Sequence, residues 1–163
     1  MGSLNAAFRA QLVLPEQRQL YDYWLEKSAG RGMPERGDLN PCEIARLLPS
    51  ISLVDVDHTQ GPFKFRLAGT RLRDIFDREI TGLCFGDIDW GEKRDYWLSA
   101  FNWTAGEGKP TQGVLTGPRL HKEHLVQYWM KLPLGRIGEV GMLLCWDYCQ
   151  AVADFPAEQA AAG

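Results

Sequence analysis

The side chains best suited to acid–base chemistry in this sequence form two short pairs. Asp87 and Asp89 lie two residues apart, and His121 and His124 lie three apart. Neither pair is accompanied by a nucleophile, a base and an orienting group in a recognisable order. We therefore predict that Asp87 and Asp89 cap the helix that begins near Gly91, and that the protein is not an enzyme.

The four cysteines do not form a metal-binding pattern. Cys42, Cys84, Cys145 and Cys149 include no Cys-x-x-Cys pair, and histidines are too few for zinc spacing. Cys145 and Cys149 fall in an apolar run, where cysteine behaves as a small hydrophobic residue. No export signal precedes these thiols, so we predict that they are reduced and that the protein is cytoplasmic.

Arginines supply the most distinctive polar positions, which are Arg36, Arg66 and Arg71, with Asp38 nearby. One interpretation is an arginine cluster that binds an anionic ligand or partner. The other, which we favour, is that Arg36 and Asp38 pin the N-terminal loop to the sheet by ion pairs. Because acidic and basic residues interleave and the net charge is -3, we predict no nucleic-acid partner.

Composition and periodicity predict one α+β domain that positions these side chains. The chain has 163 residues, 45% of them hydrophobic, and its apolar runs are too short to span a membrane. Amphipathic patterns predict helices over residues 4–14, 15–27, 40–48 and 91–105, with a short helix after Gly69. Strands are predicted over residues 51–56, 63–67, 110–117, 123–133 and 138–149.

This order favours a five-stranded antiparallel sheet with helices on one face and an N-terminal helical extension. We assign the extension to residues 1–30, the domain to residues 31–150 and a disordered tail to residues 151–163. Within the domain, Phe63, Phe65 and Leu67 alternate with basic residues and are predicted to share one face. Gly69 is predicted to allow a tight exit from this strand, and Thr70 to cap the short helix.

Four segments together resemble a PAS domain, most closely the short bacterial single-domain PAS-type family that is the fifth in domain catalogues. They are GRGMPERGDLNP, LLPSISLVDV, FKFRLAGTRLRDIF and REITG, and the resemblance covers about residues 20–149. One departure is Asp77, where the family often has glycine. The resemblance implies a sensory or interaction module with a cavity between the sheet and the longer central helix.

The resemblance further implies which side chains line that cavity and bind a small-molecule ligand. These candidates are Phe65, Leu67, Leu72, Phe76, Trp97, Phe101, Val126, Tyr128, Met142 and Leu144. Because protein interiors pack densely, the alternative is a filled core in a pure protein–protein interaction adaptor.

The sequence does not identify a cofactor, and it disfavours haem and flavin. Haem needs an axial ligand such as histidine; His58 and His121 fall in turns, and only His124 begins a strand, on its apolar face. Light-sensing PAS relatives carry Asn-Cys-Arg-Phe-Leu-Gln near the position of TGLCFGDI, where the polar neighbours of Cys84 are missing. Cys84 is therefore predicted to be a buried structural cysteine.

The last strand is apolar on both faces, so its second face must be covered, either by the amphipathic N-terminal helix or by a partner subunit. We predict a homodimer. Its candidate interface combines Leu125, Trp129 and Leu143 with Tyr21 and Trp24 of the N-terminal helix. The chain is too short to include an output domain, so we expect the signal to pass to a separate signalling protein.

Overall fold

The computed structural model describes residues 2–57, 59 and 63–152, so most of the predicted tail and His58 lie outside the described residues. The α-helices are α1 (Gly2–Gln11), α2 (Pro15–Ser28), α3 (Leu72–Phe76) and α4 (Arg94–Glu107). The strands are β1 (Ile51–Val56), β2 (Phe63–Ala68), β3 (Thr111–Thr116), β4 (Leu125–Arg136) and β5 (Glu139–Ala151). Short 3-10 helices span Arg36–Asp38, Pro41–Ser50, Phe85–Asp87 and Gly91–Lys93. Within the described part of the chain, every helix is too short or too polar to cross a membrane.

The helical segments begin and end at the signals that the sequence carries. Pro15 opens α2, and the Asn40 side chain accepts a hydrogen bond from the Cys42 backbone N–H at 3.1 Å. The segment after Asn40 is 3-10 rather than α-helical, because its backbone is kinked at Ile44 and contains Pro49. Gly108 ends α4 in the left-handed conformation.

The five strands form one antiparallel sheet in the order β2-β1-β5-β4-β3, which confirms the predicted fold class. We call the face covered by α3 and α4 the inner face; it includes Ser52, Val54, Phe65, Trp129, Lys131 and Cys145. The outer face, which includes Leu53, Tyr128, Leu144 and Trp146, packs against α2 and the 3-10 segment Pro41–Ser50. Both faces of the central strands are therefore buried.

A β-bulge between β1 and β2 changes the face on which one predicted residue lies. Leu53 pairs with Leu67, but the next residue, Val54, pairs with Phe65, so β2 contributes one extra residue. Leu67 consequently points to the outer face and is 47% exposed, whereas Phe65 stays on the inner face. The prediction that Leu67 shares the face of Phe65 is therefore wrong.

Gly69 makes the exit from β2 possible by a close backbone approach rather than by an unusual backbone angle. Its N–H donates to the Ile51 carbonyl at 2.8 Å, and a Cβ atom would lie only 2.3 Å from the Pro49 carbonyl oxygen. The predicted cap at Thr70 is wrong, because α3 begins at Leu72 without a side-chain cap.

Candidate functional site

A small cavity lies between the inner face of the sheet and the helices that cover it. Its volume is about 20 Å³, which is room for roughly one water molecule. We call it the inner cavity. It is lined by Ser52, Phe65, Leu72, Phe76, Trp90, Trp97, Phe101, Gln127, Lys131, Cys145 and Asp147.

Aromatic rings fill most of the space around the inner cavity. The Phe101 ring of α4 lies 5.0 Å from Phe63 and 6.1 Å from Phe65, measured between centroids. Trp90 stacks on Phe85 at 4.5 Å, and its indole N–H donates to the Phe85 carbonyl at 2.8 Å. These contacts hold the Trp90 ring over the sheet and leave little unfilled volume.

Polar side chains nevertheless occupy the centre of the inner face. We call Ser52, Gln127, Lys131, Cys145 and Asp147 the buried polar cluster. Lys131 is 2% exposed, Gln127 3% and Asp147 5%. Lysine and aspartate are almost never so fully buried unless they are paired, which makes this cluster the most unusual feature of the core.

The Lys131 ammonium group is surrounded by aromatic rings. Its Nζ atom lies 4.2 Å from the ring centroid of Phe101 and 5.1 Å from those of both Trp97 and Trp129. Cation–π contacts of this kind contribute about 2 kcal/mol when desolvated. Within residues 2–57, 59 and 63–152, no acceptor takes a hydrogen bond from Nζ and no carboxylate lies at ion-pair distance.

The Asp147 carboxylate has one direct partner in the cluster. Gln127 Nε2 donates to Asp147 Oδ1 at 2.7 Å. Burial raises the pKa of Asp147, and the positive charge of Lys131 and the Gln127 hydrogen bond oppose that rise. The charged form of Asp147 thus depends on its two neighbours.

Besides Lys131 Nζ, two polar atoms of the cluster have no hydrogen-bond partner among the described residues. They are Ser52 Oγ, which faces Cys145 across the strands, and Gln127 Oε1. Burial also raises the pKa of the Cys145 thiol to about 11, so this thiol is protonated at neutral pH. The cluster therefore offers unused donors and acceptors but no activated nucleophile.

The predicted pocket residues divide between the two faces of the sheet. Five of the ten line the inner cavity: Phe65, Leu72, Phe76, Trp97 and Phe101. Four others lie on the outer face, because they alternate with the inner residues of β4 and β5: Val126, Tyr128, Met142 and Leu144. The tenth, Leu67, is turned outward by the bulge.

Most of the predicted dimer-interface side chains are buried within the single chain. Tyr21 and Trp24 are 1% and 2% exposed, and Trp24 Nε1 donates to the Pro133 carbonyl at 2.9 Å. Trp129 is 5% exposed and Leu143 is fully buried, while Leu125 is partly buried. The expectation of an exposed face at these residues is therefore wrong; α2 and α4 cover them.

The predicted polar residues do not form one cluster. Asp38 pairs with Arg31 at 2.8 Å, so it pins the loop to the end of α2 and not to the sheet. Arg66 pairs with Asp55 across the strands at 3.0 Å. Arg71 donates to Ser50 Oγ at 3.1 Å. Arg36 makes no side-chain hydrogen bond or ion pair with a described residue.

The remaining candidates for chemistry lie away from the inner cavity. The Asp89 carboxylate accepts from the Gly91 N–H at 3.0 Å, and Asp87 accepts from the Cys84 N–H in the preceding turn. The 3-10 helix that begins at Gly91 has Trp90 at its N-cap position and no side-chain cap, so the predicted capping by Asp87 and Asp89 is wrong. His121 and His124 are exposed. Over residues 2–57, 59 and 63–152, no three His, Cys, Asp or Glu side chains are grouped to hold a metal ion.

Sequence reasoning missed Trp90 and the polar half of the site. Gln127 and Lys131 alternate with Tyr128 and other apolar residues, and hydrophobicity alone predicts that the more apolar set faces the cavity. The sequence carries one signal for the polar half of the site, because Lys131 and Asp147 lie inside long strands that are apolar on both sides.

Comparison with known proteins identifies the family. The model of a PAS-domain family matches residues 13–102, more than half of the chain. The chain belongs to the PAS-domain family. The Rhodobacter sphaeroides LOV protein aligns with a TM-score of 0.52 and 17% identity over 77% of this chain and 76% of that one. The RsLOV d2 variant aligns with a TM-score of 0.52 and 20% identity over 74% and 72%. No curated protein matches the sequence.

A large planar cofactor does not fit the inner cavity of this PAS domain as its side chains are packed. Ligand pockets usually have volumes of about 300–1,000 Å³, and the inner cavity has about 20 Å³. Cys84 lies outside its lining, and so do His121 and His124. A flavin adduct at Cys84 and haem ligation by His121 or His124 therefore do not fit this arrangement.

Proposed function

We propose that this PAS domain is a non-enzymatic sensory module whose recognition centre is the buried polar cluster. The observation that carries the proposal is the Lys131 ammonium group, which is 2% exposed and has no acceptor among the described residues. Removing an ammonium ion from water costs several kcal/mol unless it is paired. A ligand with a carboxylate or carbonyl oxygen would recover part of that cost.

The size of the inner cavity restricts how such a ligand enters. Only a group of about the size of one water molecule fits beside Lys131 without rearrangement. A larger molecule must displace a lining ring, and Phe76 and Trp90 are the most exposed of these rings, at 8% and 6%. The movement of either ring is then the conformational change that the module reports.

In this proposal the signal leaves through protein contacts, in a homodimer and towards a separate signalling protein. Exposed apolar side chains such as Trp103 (47% exposed) and Val114 (41%) are available for such contacts. Four free cysteines suit a reducing compartment, and we place the module in the cytoplasm. The protonated Cys145 thiol supports a binding role rather than a catalytic one.

A second candidate is an interaction adaptor without an internal ligand. The small volume of the inner cavity favours it, since a densely packed core needs no ligand for stability. The two candidates differ in what Lys131 does: in the adaptor it is a structural group held by three rings.

Native mass spectrometry of freshly purified protein tests the proposal. We expect a dimer with extra mass that is lost on denaturation, and we expect Lys131→Met to lose that mass. Lys64→Met is the matched control, because Lys64 lies exposed on the outer face of β2. A protein without extra mass contradicts the ligand proposal and favours the adaptor. Extra mass that survives Lys131→Met contradicts the assignment of the ligand to the buried polar cluster. A monomer contradicts the homodimer.

A further inference from the structure

A second hollow lies on the opposite side of the sheet from the inner cavity. It is a groove of about 490 Å³ between the 3-10 segment Pro41–Ser50 and the outer face of β1 and β2. We call it the outer groove. Its apolar walls include Ile44, Leu48, Ile51, Leu53, Leu67 and Leu144. This volume falls within the range of about 300–1,000 Å³ that is usual for ligand pockets.

The groove exists because the outer cover of the sheet is incomplete. α2 packs against β4, and the 3-10 segment flanks β1, but the bulge turns Leu67 into the space beside them. Leu67 is 47% exposed although apolar residues surround it. An apolar ligand would remove this surface from water, which is favourable in proportion to the area buried.

Arg36 is the one charged side chain among the described residues that line the groove. The adjacent carboxylates are already paired, Glu35 with Arg136 at 3.1 Å and Asp38 with Arg31 at 2.8 Å. The Arg36 guanidinium has no such partner in the described chain. An apolar groove whose lining includes one unpaired guanidinium is complementary to an anion with a long apolar tail.

We infer that the outer groove binds a free long-chain carboxylic acid, with the carboxylate on Arg36 and the hydrocarbon chain along the leucine and isoleucine walls. Guanidinium and carboxylate groups form paired charge-assisted hydrogen bonds, which are stronger than neutral ones. This site does not depend on the buried polar cluster, since no residue lines both hollows.

Isothermal titration calorimetry with dodecanoate below its micelle concentration tests the inference on the full chain. We expect dodecanoate to bind the wild-type protein, and Arg36→Gln to weaken binding by about 10- to 100-fold, the effect of losing hydrogen bonds to a charged group. Arg46→Gln is the matched control, because Arg46 is exposed on the 3-10 segment Pro41–Ser50 beside the groove but does not line the groove. Dodecanol, which has no charge, should bind the wild-type protein more weakly than dodecanoate does. It should bind the wild type and Arg36→Gln equally.

Three results would overturn the inference. The first is the absence of dodecanoate binding, or equal binding by wild type and Arg36→Gln. The second is loss of binding in Lys131→Met with no change in Arg36→Gln, which would assign the acid to the buried polar cluster. The third is a different occupant of the groove in a protein that does not bind dodecanoate. Conversion of a dimer to a monomer by Leu67→Glu would assign the groove to a second copy of the chain. Sedimentation with anionic vesicles that depends on Arg36 would assign it to a membrane surface.

Discussion

Lys131 and Asp147 are predicted to stabilise each other across the inner face although no ion pair joins them. In the register of β4 and β5, Lys131 lies opposite Cys145 and Asp147 lies opposite Trp129. Lys131 and Asp147 are therefore diagonal neighbours, a relation in which residues are about 7–8 Å apart. Two unit charges about 7–8 Å apart attract by about 2 kcal/mol at an effective dielectric constant of about 20.

A double-mutant cycle measures this attraction. The cycle uses urea titrations at pH 8 of the wild-type protein, Lys131→Met, Asp147→Asn and the double variant. Unfolding is followed by tryptophan fluorescence. Each single change leaves one buried charge without compensation and should lower the free energy of unfolding by about 3–5 kcal/mol. The double variant should lose about 2 kcal/mol less than the sum of the two single changes.

The exposed pair of Arg9 and Asp22 provides the control cycle. Its atoms lie 2.8 Å apart, yet both side chains are about half exposed, so we expect a coupling below about 1 kcal/mol. A coupling below about 0.5 kcal/mol between Lys131 and Asp147 would refute the reasoning. It would mean that the two groups are not both charged, or that their charges are screened from each other.

Two further predictions concern stability. Gly113→Ala should destabilise the fold by about 1–3 kcal/mol in urea, because its Cβ would lie 2.7 Å from the Trp129 indole; Gly106→Ala, with open space around it, should not destabilise. Hydrogen bonds from Thr81 and the nearby Arg73 guanidinium lower the pKa of Glu79 from 4.5 to about 2. The contribution of Glu79 is complete above pH 4.5 and is lost as the pH falls towards 2, so Glu79→Gln should flatten stability against pH in that window. An unchanged slope would contradict this assignment.

The order of elements could be predicted because each element carries its own local signal. Proline at residue 15 and asparagine at residue 40 open helical segments, and Gly108 closes α4. Period-two alternation is sufficient to find β4 and β5. The bulge beside Leu67 could not be found in this way, because it is a property of the pairing between two strands and not of either strand alone.

Hydrophobicity alone could not show which residues of β4 and β5 lie on the inner face of the sheet. β4 and β5 are buried on both sides, so apolar residues occur on both faces. Tyr128 and Leu144 lie on the outer face, and Trp129 and Leu143 lie on the inner face. Which helix covers which face depends on contacts between residues far apart in the chain. The local signal in the sequence is a charged residue within each apolar strand, Lys131 in β4 and Asp147 in β5. Both are buried in the structure.

The two hollows of this PAS domain differ in the chemistry they can recognise. The inner cavity offers an ammonium group and two unpartnered polar atoms, which suit a small oxygen acceptor. Its volume of about 20 Å³ is too small for a hydrocarbon chain. The outer groove is apolar and its lining includes one guanidinium, which suits an acid with a long tail. One ligand does not satisfy both sites. Binding lost with Lys131→Met and binding lost with Arg36→Gln therefore answer separate questions about what this protein senses.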